Sequence, residues 1–221
     1  SANSLHGDGS LRTESPGNEP ADEYTYNPDN PMPTLGGNHS VGLFWESVRS
    51  VIQPGPFDQR PIERRDDMLV YTTAPLEEDV EVTGPVAVKL HAASSAPDTD
   101  FVARLCDVSP DGRSINLTEG ILRARFRERV WDQPKLVEPG EVYEYTIDLQ
   151  VTSNVFKQGH RLRLDVTSSC FPLWDRNPNT GHEPGLDAEM QTARQTVYHN
   201  HAHPSHFVLP VVPMATMEKQ S

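Results

Sequence analysis

From Asp67 onward, apolar and polar residues alternate with a period of two, the signature of half-buried strands. Val86, Val88, Leu90 and Ala92 fall on one face of an extended segment, with Ala87, Lys89 and His91 on the other. Phe101, Ala103 and Leu105 alternate with Val102, Arg104 and Cys106. Tyr143, Tyr145, Ile147 and Leu149 alternate with Glu144, Thr146 and Asp148, and Leu162, Leu164 and Val166 with Arg161, Arg163 and Asp165. Further strands are predicted at 68–73, 115–130, 192–199 and 206–212. Pro110-Asp111-Gly112 reads as a hairpin turn, and Pro139-Gly140 leads directly into a strand. No amphipathic stretch with a 3.6-residue period follows position 60, and the 20 prolines and 14 glycines point to turns rather than long helices. About eight short strands without interleaved helices predict an all-β fold, an antiparallel β-sandwich wired as a jelly roll over 41–215.

Residues 1–40 read differently. The run Asn27-Pro28-Asp29-Asn30-Pro31-Met32-Pro33 cannot form a helix, because each proline lacks an N–H and biases its predecessor toward extended geometry. Tyr24, Tyr26, Met32 and Leu35 supply apolar hooks, so this segment is predicted to lie as an extended arm across another surface. Leu43-Phe44-Trp45 is a dense apolar cluster, predicted on a short helical turn reaching Val48, and 216–221 reads as a tail.

Nineteen Lys and Arg against 32 Asp and Glu leave a net charge of −13. Such a surface repels phosphate, which argues against nucleic acid and against anionic membranes as partners. No run of apolar residues is long enough to span a membrane, and no basic segment followed by an apolar stretch opens the chain as a signal peptide. The chain starts Ser1-Ala2-Asn3, as a mature protein would or as a piece of something longer would. Cys106 and Cys170 allow one disulfide, but two thiols in a chain of this size fit a reducing compartment as well, and a cytoplasmic setting is expected.

The chemistry-bearing residues are few. A hydrolase nucleophile elbow needs Gly-x-Ser-x-Gly, and the nearest approach, Gly37-Asn38-His39-Ser40-Val41-Gly42, has the wrong spacing. No catalytic residue is therefore expected in this chain. His199, His201 and His203 recur at every second residue, which on one strand would place them on one face where a metal could be held, with His206 nearby. No Glu follows until Glu218, so neither a metal nor any other cofactor is expected, and these three histidines are the ones that would carry a metal. Asp98, Asp100, Asp107 and Asp111 do not reproduce a calcium loop. Arg123, Arg125, Arg127 and Arg129 would share one face of a 115–130 strand, and are predicted as a solvated stripe paired with Glu144 and Asp148. The loop Phe171-Pro172-Leu173-Trp174-Asp175-Arg176-Asn177 carries two aromatics and an Arg–Asp pair among turn formers. It reads as either a structured crossover or a docking loop.

These segments together resemble the C-terminal domain of the cocaine-esterase-like (CocE/NonD-type) serine hydrolases, grouped with Xaa-Pro dipeptidyl-peptidases, α-amino-acid ester hydrolases and glutaryl acylases. The resemblance rests on Asp58-Gln59-Arg60-Pro61, Arg65-Asp66-Asp67 to Tyr71, Val82-Thr83-Gly84, and Ser94-Ser95-Ala96 through Asp98-Thr99-Asp100-Phe101. It continues through Pro110-Asp111-Gly112-Arg113, Thr152-Ser153-Asn154-Val155-Phe156, Gly159-His160-Arg161, Asp175-Arg176-Asn177 to Gly181, and His203-Pro204-Ser205-His206. In the arm, Tyr24 to Pro33 and Gly36-Gly37 fit as well. The resemblance implies a non-catalytic, galactose-binding-like jelly roll, with the Ser, Asp and His of the triad on upstream α/β-hydrolase and cap domains of the same polypeptide. It implies that Leu43, Phe44 and Trp45 lie near the acyl pocket. Phe171, Trp174 and Arg176 join them as candidates for the pocket wall or for docking, and a homo-oligomer is a further possible partner. The rival reading is a stand-alone carbohydrate- or ligand-binding module using Trp45, Trp131 and Trp174.

Overall fold

The structure, a computed structural model, describes residues 1–40, 52–129, 131–186 and 188–213. The strands are β1 (Asp22–Tyr26), β2 (Met68–Thr72), β3 (Val80–Ser94), β4 (Asp100–Val108), β5 (Ser114–Arg123), β6 (Tyr143–Phe156), β7 (Arg161–Thr167), β8 (Ala193–Asn200), β9 (His203–Pro204), β10 (His206–Val208) and β11 (Val211–Val212). Among the described residues there is one four-residue helix, α1 (Arg60–Glu63), with Pro61 in its first turn, where a missing N–H costs nothing.

Two antiparallel sheets face each other. The smaller runs β2-β7-β4-β5. The larger is built around the fifteen-residue β3. β6 pairs along one edge of β3, while β8, β10 and β11 follow one another along its other edge, and β1 adds outside β8. The apolar halves of the alternating segments meet between the sheets. Val86, Val88, Leu90 and Ala92 of β3, with Tyr145, Ile147 and Leu149 of β6, pack on Phe101, Ala103 and Leu105 of β4 and Leu162, Leu164 and Val166 of β7. Each Val, Leu, Ile or Phe side chain among them contributes roughly 1.5–3 kcal/mol on burial. The sheets approach most closely where β5 crosses β6. Thr118 donates its hydroxyl to the Leu149 carbonyl, and a Cβ at Gly120 would lie 1.9 Å from the Asp148 carbonyl oxygen, so only glycine fits there.

The arm uses its predicted hooks. β1 completes the larger sheet, Tyr24 and Tyr26 are buried, and Asn3 and Ser10 bridge to Leu69 and Thr72 on the free edge of β2. Met32 and Leu35 pack with Ile62, Met68 and Val70 in a second apolar cluster.

Two predicted strands differ. The 115–130 strand stops at Arg123 and turns into a single 3-10 turn, Ala124–Phe126. The 206–212 strand is split into β10 and β11, because Pro210 has no N–H to give the ladder and only its carbonyl pairs, with the Thr83 N–H. The Leu43–Val48 turn lies outside the described residues.

Candidate functional site

The loop that follows β7 is held from two sides. From the arm, the Ser169 hydroxyl accepts the Met32 N–H at 2.8 Å, and the Thr34 N–H donates to the Phe171 carbonyl at 2.8 Å. The Phe171 N–H in turn donates to the Met32 carbonyl at 2.8 Å, and Arg176 Nη1 donates to the Pro28 carbonyl at 2.9 Å. From the sandwich, Asn177 is the anchor. Its side-chain amide donates to Asp98 Oδ2 at 2.8 Å and Asp100 Oδ1 at 2.9 Å, and its carbonyl accepts the Tyr26 hydroxyl at 3.1 Å. Asn177 and Asn179 are fully buried. The Asn177 hydrogen bonds fix the course of this loop against the sandwich, while Asn179 Oδ1 is buried without a partner.

What it presents is an aromatic and a cation. Phe171 is 39% exposed, and the Arg176 guanidinium lies 5.7 Å from its ring centroid. Both line a cleft of about 270 Å³, together with Arg123, Asp175 and the 180–185 turn. Trp174 is half-buried beside the cleft and its N–H is tied to the Cys170 carbonyl at 3.1 Å, so the structure brings Phe171 and Arg176 together and leaves Trp174 on the flank. Leu43, Phe44 and Trp45 lie outside the described residues. Trp131 is 93% exposed.

The arginine stripe does not exist as a sheet face. Once the strand ends at Arg123, the guanidiniums turn inward to carboxylates that precede and begin β4. Arg123 Nε meets Asp100 Oδ1 at 2.9 Å, and Arg125 Nε meets Asp98 Oδ2 at 2.8 Å. Arg125 is 6% exposed and also donates to the His182 carbonyl. Glu144 faces Lys89 and His91 instead, so neither expected carboxylate pairs with the stripe. Burial raises the Asp100 carboxyl even though Arg123 and Asn177 pull it down. These ion pairs are the floor under the loop.

A second buried charge cluster covers the outer face of the smaller sheet. Arg104 meets Glu119 at 2.8 Å and Asp165 at 3.9 Å, and Arg163 meets Glu63 of α1 at 2.6 Å. Ser114 donates to Glu63, and Cys106 and Cys170 touch the same network. Glu63, Cys106 and Asp165 bring their ligand atoms within 4.8 Å of one another. Burial, with Glu63 facing it, pushes the Asp165 carboxyl well above the usual carboxylate range despite Arg104 and Arg163. Burial also pushes the Cys170 thiol up to about 11. Both cysteines are unpaired and buried as thiols, which makes them poor nucleophiles. Alternation in β4 and β7 located Arg104, Cys106 and Asp165 on one face. It carried no sign that α1 and the arm would bury that face.

The histidine trio does not converge either. His199 Nε2 bonds Asp22 Oδ2 at 2.9 Å, with the Tyr71 hydroxyl donating to the same oxygen at 3.1 Å. Its hydrogen bond to Asp22 raises the His199 imidazole. Burial alone would raise Asp22, but the bonds from His199 and the Ala2 N–H outweigh it and bring Asp22 down to about 2. His201 sits exposed at the tip of a tight turn, and β9 folds back on β8, carrying His203 to the Tyr198 ring. Three residues with a period of two thus lie on two strands and a turn. Among the described residues the hydrogen bond of the His199 ring runs to Asp22 and not to a serine or cysteine.

The geometry is that of an antiparallel sandwich with one loop pinned between the arm and β4. The family model for the X-Pro dipeptidyl-peptidase C-terminal non-catalytic domain matches residues 1–208. The chain belongs to that family. It is similar to the cocaine esterase of Rhodococcus sp. (strain MB1 Bresler), at 48% identity over 213 residues covering 96% of this chain and 36% of the relative. Among solved structures, an aminopeptidase from a Thaumarchaeota archaeon matches with a TM-score of 0.81 at 30% identity, covering 96% of this chain and 36% of that one. An α-amino acid ester hydrolase matches with a TM-score of 0.80 at 30% identity, covering 92% and 35%. This domain therefore spans about a third of the length of the relatives it matches. No helix among the described residues is long and apolar enough to cross a membrane.

Proposed function

We propose that the chain serves as the C-terminal domain of an acyl (ester or amide) serine hydrolase, packing on α/β-hydrolase and cap domains of the same polypeptide that carry the nucleophile and oxyanion hole. The observation that supports this most is the pinned loop. A large aromatic left 39% exposed on a loop whose asparagines are buried is a surface prepared for a partner, not a flexible connection. In this reading Phe171, Trp174 and Arg176 form part of that contact. The similarity to an esterase, an aminopeptidase and an amino acid ester hydrolase supports the reaction class without choosing among the substrates.

The test is a chimera in which this chain replaces the matching third of the Rhodococcus cocaine esterase. The proposal expects a soluble chimera that turns over an activated ester, and a Phe171→Ala/Trp174→Ala version that loses thermal stability while the separate 221-residue chain does not. A chimera indifferent to both substitutions would contradict the docking role.

A further inference from the structure

The cleft beside the pinned loop is lined by three arginines, and their counter-charges differ. Arg123 donates Nε and Nη2 to the two oxygens of Asp100, at 2.9 and 3.0 Å, and Nη2 also reaches Asp175 at 3.2 Å. Arg125 donates its backbone N–H to one oxygen of Asp98 and Nε to the other, and gives Nη2 to the His182 carbonyl. Arg176 meets no carboxylate among the described residues. Its hydrogen bond there runs from Nη1 to the Pro28 carbonyl, a neutral acceptor. A guanidinium carries five N–H donors in a fixed fork, so most of those on Arg176 remain free for a partner. We propose that Arg176 receives the carboxylate of an aspartate or glutamate on the hydrolase or cap domain. This rests on the docking role above and names the chemistry of that contact.

The guanidinium is held ready. The Pro28 carbonyl fixes one end, and the Phe171 ring supports it at 5.7 Å from the ring centroid. A fork already in place loses little freedom when a carboxylate arrives, and it can offer that carboxylate two parallel N–H bonds. The carboxylates of this domain are committed elsewhere. Asp98 and Asp100 are buried and hold Arg125, Arg123 and the Asn177 amide, and Asp175 is turned to Arg123. In a chain of net charge −13, the half-buried Arg176 is thus a cation whose counter-charge comes from outside the domain.

The surroundings favour a protein side chain over a small free acid. Exposed apolar side chains rim the cleft of about 270 Å³: Phe171, Leu136 at 47% exposure and Leu186 at 84%. Leu136 lies 3.2 Å from where a Cβ on Gly181 would stand, and Leu186 follows Gly185, both glycines lining the cleft. A small acid on Arg176 leaves these leucines in water, whereas a protein surface carrying the acid covers them as it docks. That cover also excludes water from the ion pair, which strengthens it. An arginine and an aromatic inside such a contact are the residue types that dominate binding energy at interfaces.

The test is a zero-length cross-link in the esterase chimera. Arg176→Lys puts an amine where the guanidinium stood, and a water-soluble carbodiimide joins an amine to a carboxylate in contact with it as an amide. Mass spectrometry of the digest should show position 176 joined to an aspartate or glutamate of the hydrolase or cap region. Arg113→Lys is the control, because its partner Asp111 lies in its own turn, and it should link to Asp111 in the chimera and in the separate 221-residue chain alike. Oxidation of Phe171 is followed in the same samples. Phe171 protected in the chimera, with position 176 linked only within its own domain or not at all, overturns the carboxylate contact and leaves the docking role standing. Phe171 unprotected removes both.

Discussion

The two outer faces of the sandwich come from the same alternating pattern and end in opposite states. On the smaller sheet, α1 and the arm cover the outer face and bury Arg104, Glu119, Asp165, Glu63 and Arg163 against one another. On the larger sheet, Lys89, Glu144 and His206 stay in reach of water. A period of two says which residues share a face but not what covers it. The same ion pair therefore means different things on the two faces. Buried, it is fixed by its desolvation cost, so that losing one partner strands the other. Exposed, it is screened and worth roughly 0–1 kcal/mol.

The largest expected effect follows on the sealed face. Arg104→Ala leaves Glu119 and Asp165 without their shared cation and should cost about 3–5 kcal/mol in urea unfolding. Arg125→Glu should cost a similar amount by setting a second carboxylate against buried Asp98. Had Arg125 lain on a solvated stripe, the same change would have cost less than about 1 kcal/mol, so this variant alone separates the two descriptions.

The pH dependence sharpens the contrast. The Asp165 carboxyl is raised in the folded state, so the native protein keeps a proton that the unfolded chain releases near pH 4. Its contribution is complete at acid pH and is lost as pH rises above the ordinary carboxylate range. Asp165→Asn should flatten that decline when unfolding is measured from pH 4 upward.

The two members of the Asp22–His199 pair fade at opposite ends of the pH range. Asp22 is depressed to about 2, so its contribution disappears as pH falls below about 4, and His199 is raised, so its share fades as pH climbs past about 6.5. Asp22→Asn should cost about 1 kcal/mol near pH 6 and less above pH 8. The smallest effect belongs to the open face, where Lys89→Ala should change stability by less than about 1 kcal/mol.

The alternation made the core of β3, β6, β4 and β7 legible, and the tyrosines and Met32 marked the arm's contacts, because these signals are local. The arginine stripe was misread because the end of β5 is set by Asp98 and Asp100, carboxylates about 25 residues upstream that no local pattern couples to it. The spacing of His199, His201 and His203 concealed a chain reversal for a related reason. A tight turn at His201 folds β9 back on β8, so the three histidines lie on two strands and a turn. Turn residues signalled hairpins elsewhere, but here the mark is Asn200 alone, whose side chain accepts the Ala202 and His203 N–H groups inside an otherwise alternating run.

The docking role of the pinned loop can be measured most directly by hydroxyl-radical footprinting of the 221-residue chain alone and within the esterase chimera. Phe171 and Trp174 should be oxidised several-fold more slowly in the chimera, while Trp131, 93% exposed, serves as the reference and changes little. Oxidation of Phe171 and Trp174 at the same rate in both would show that no hydrolase domain rests on this loop.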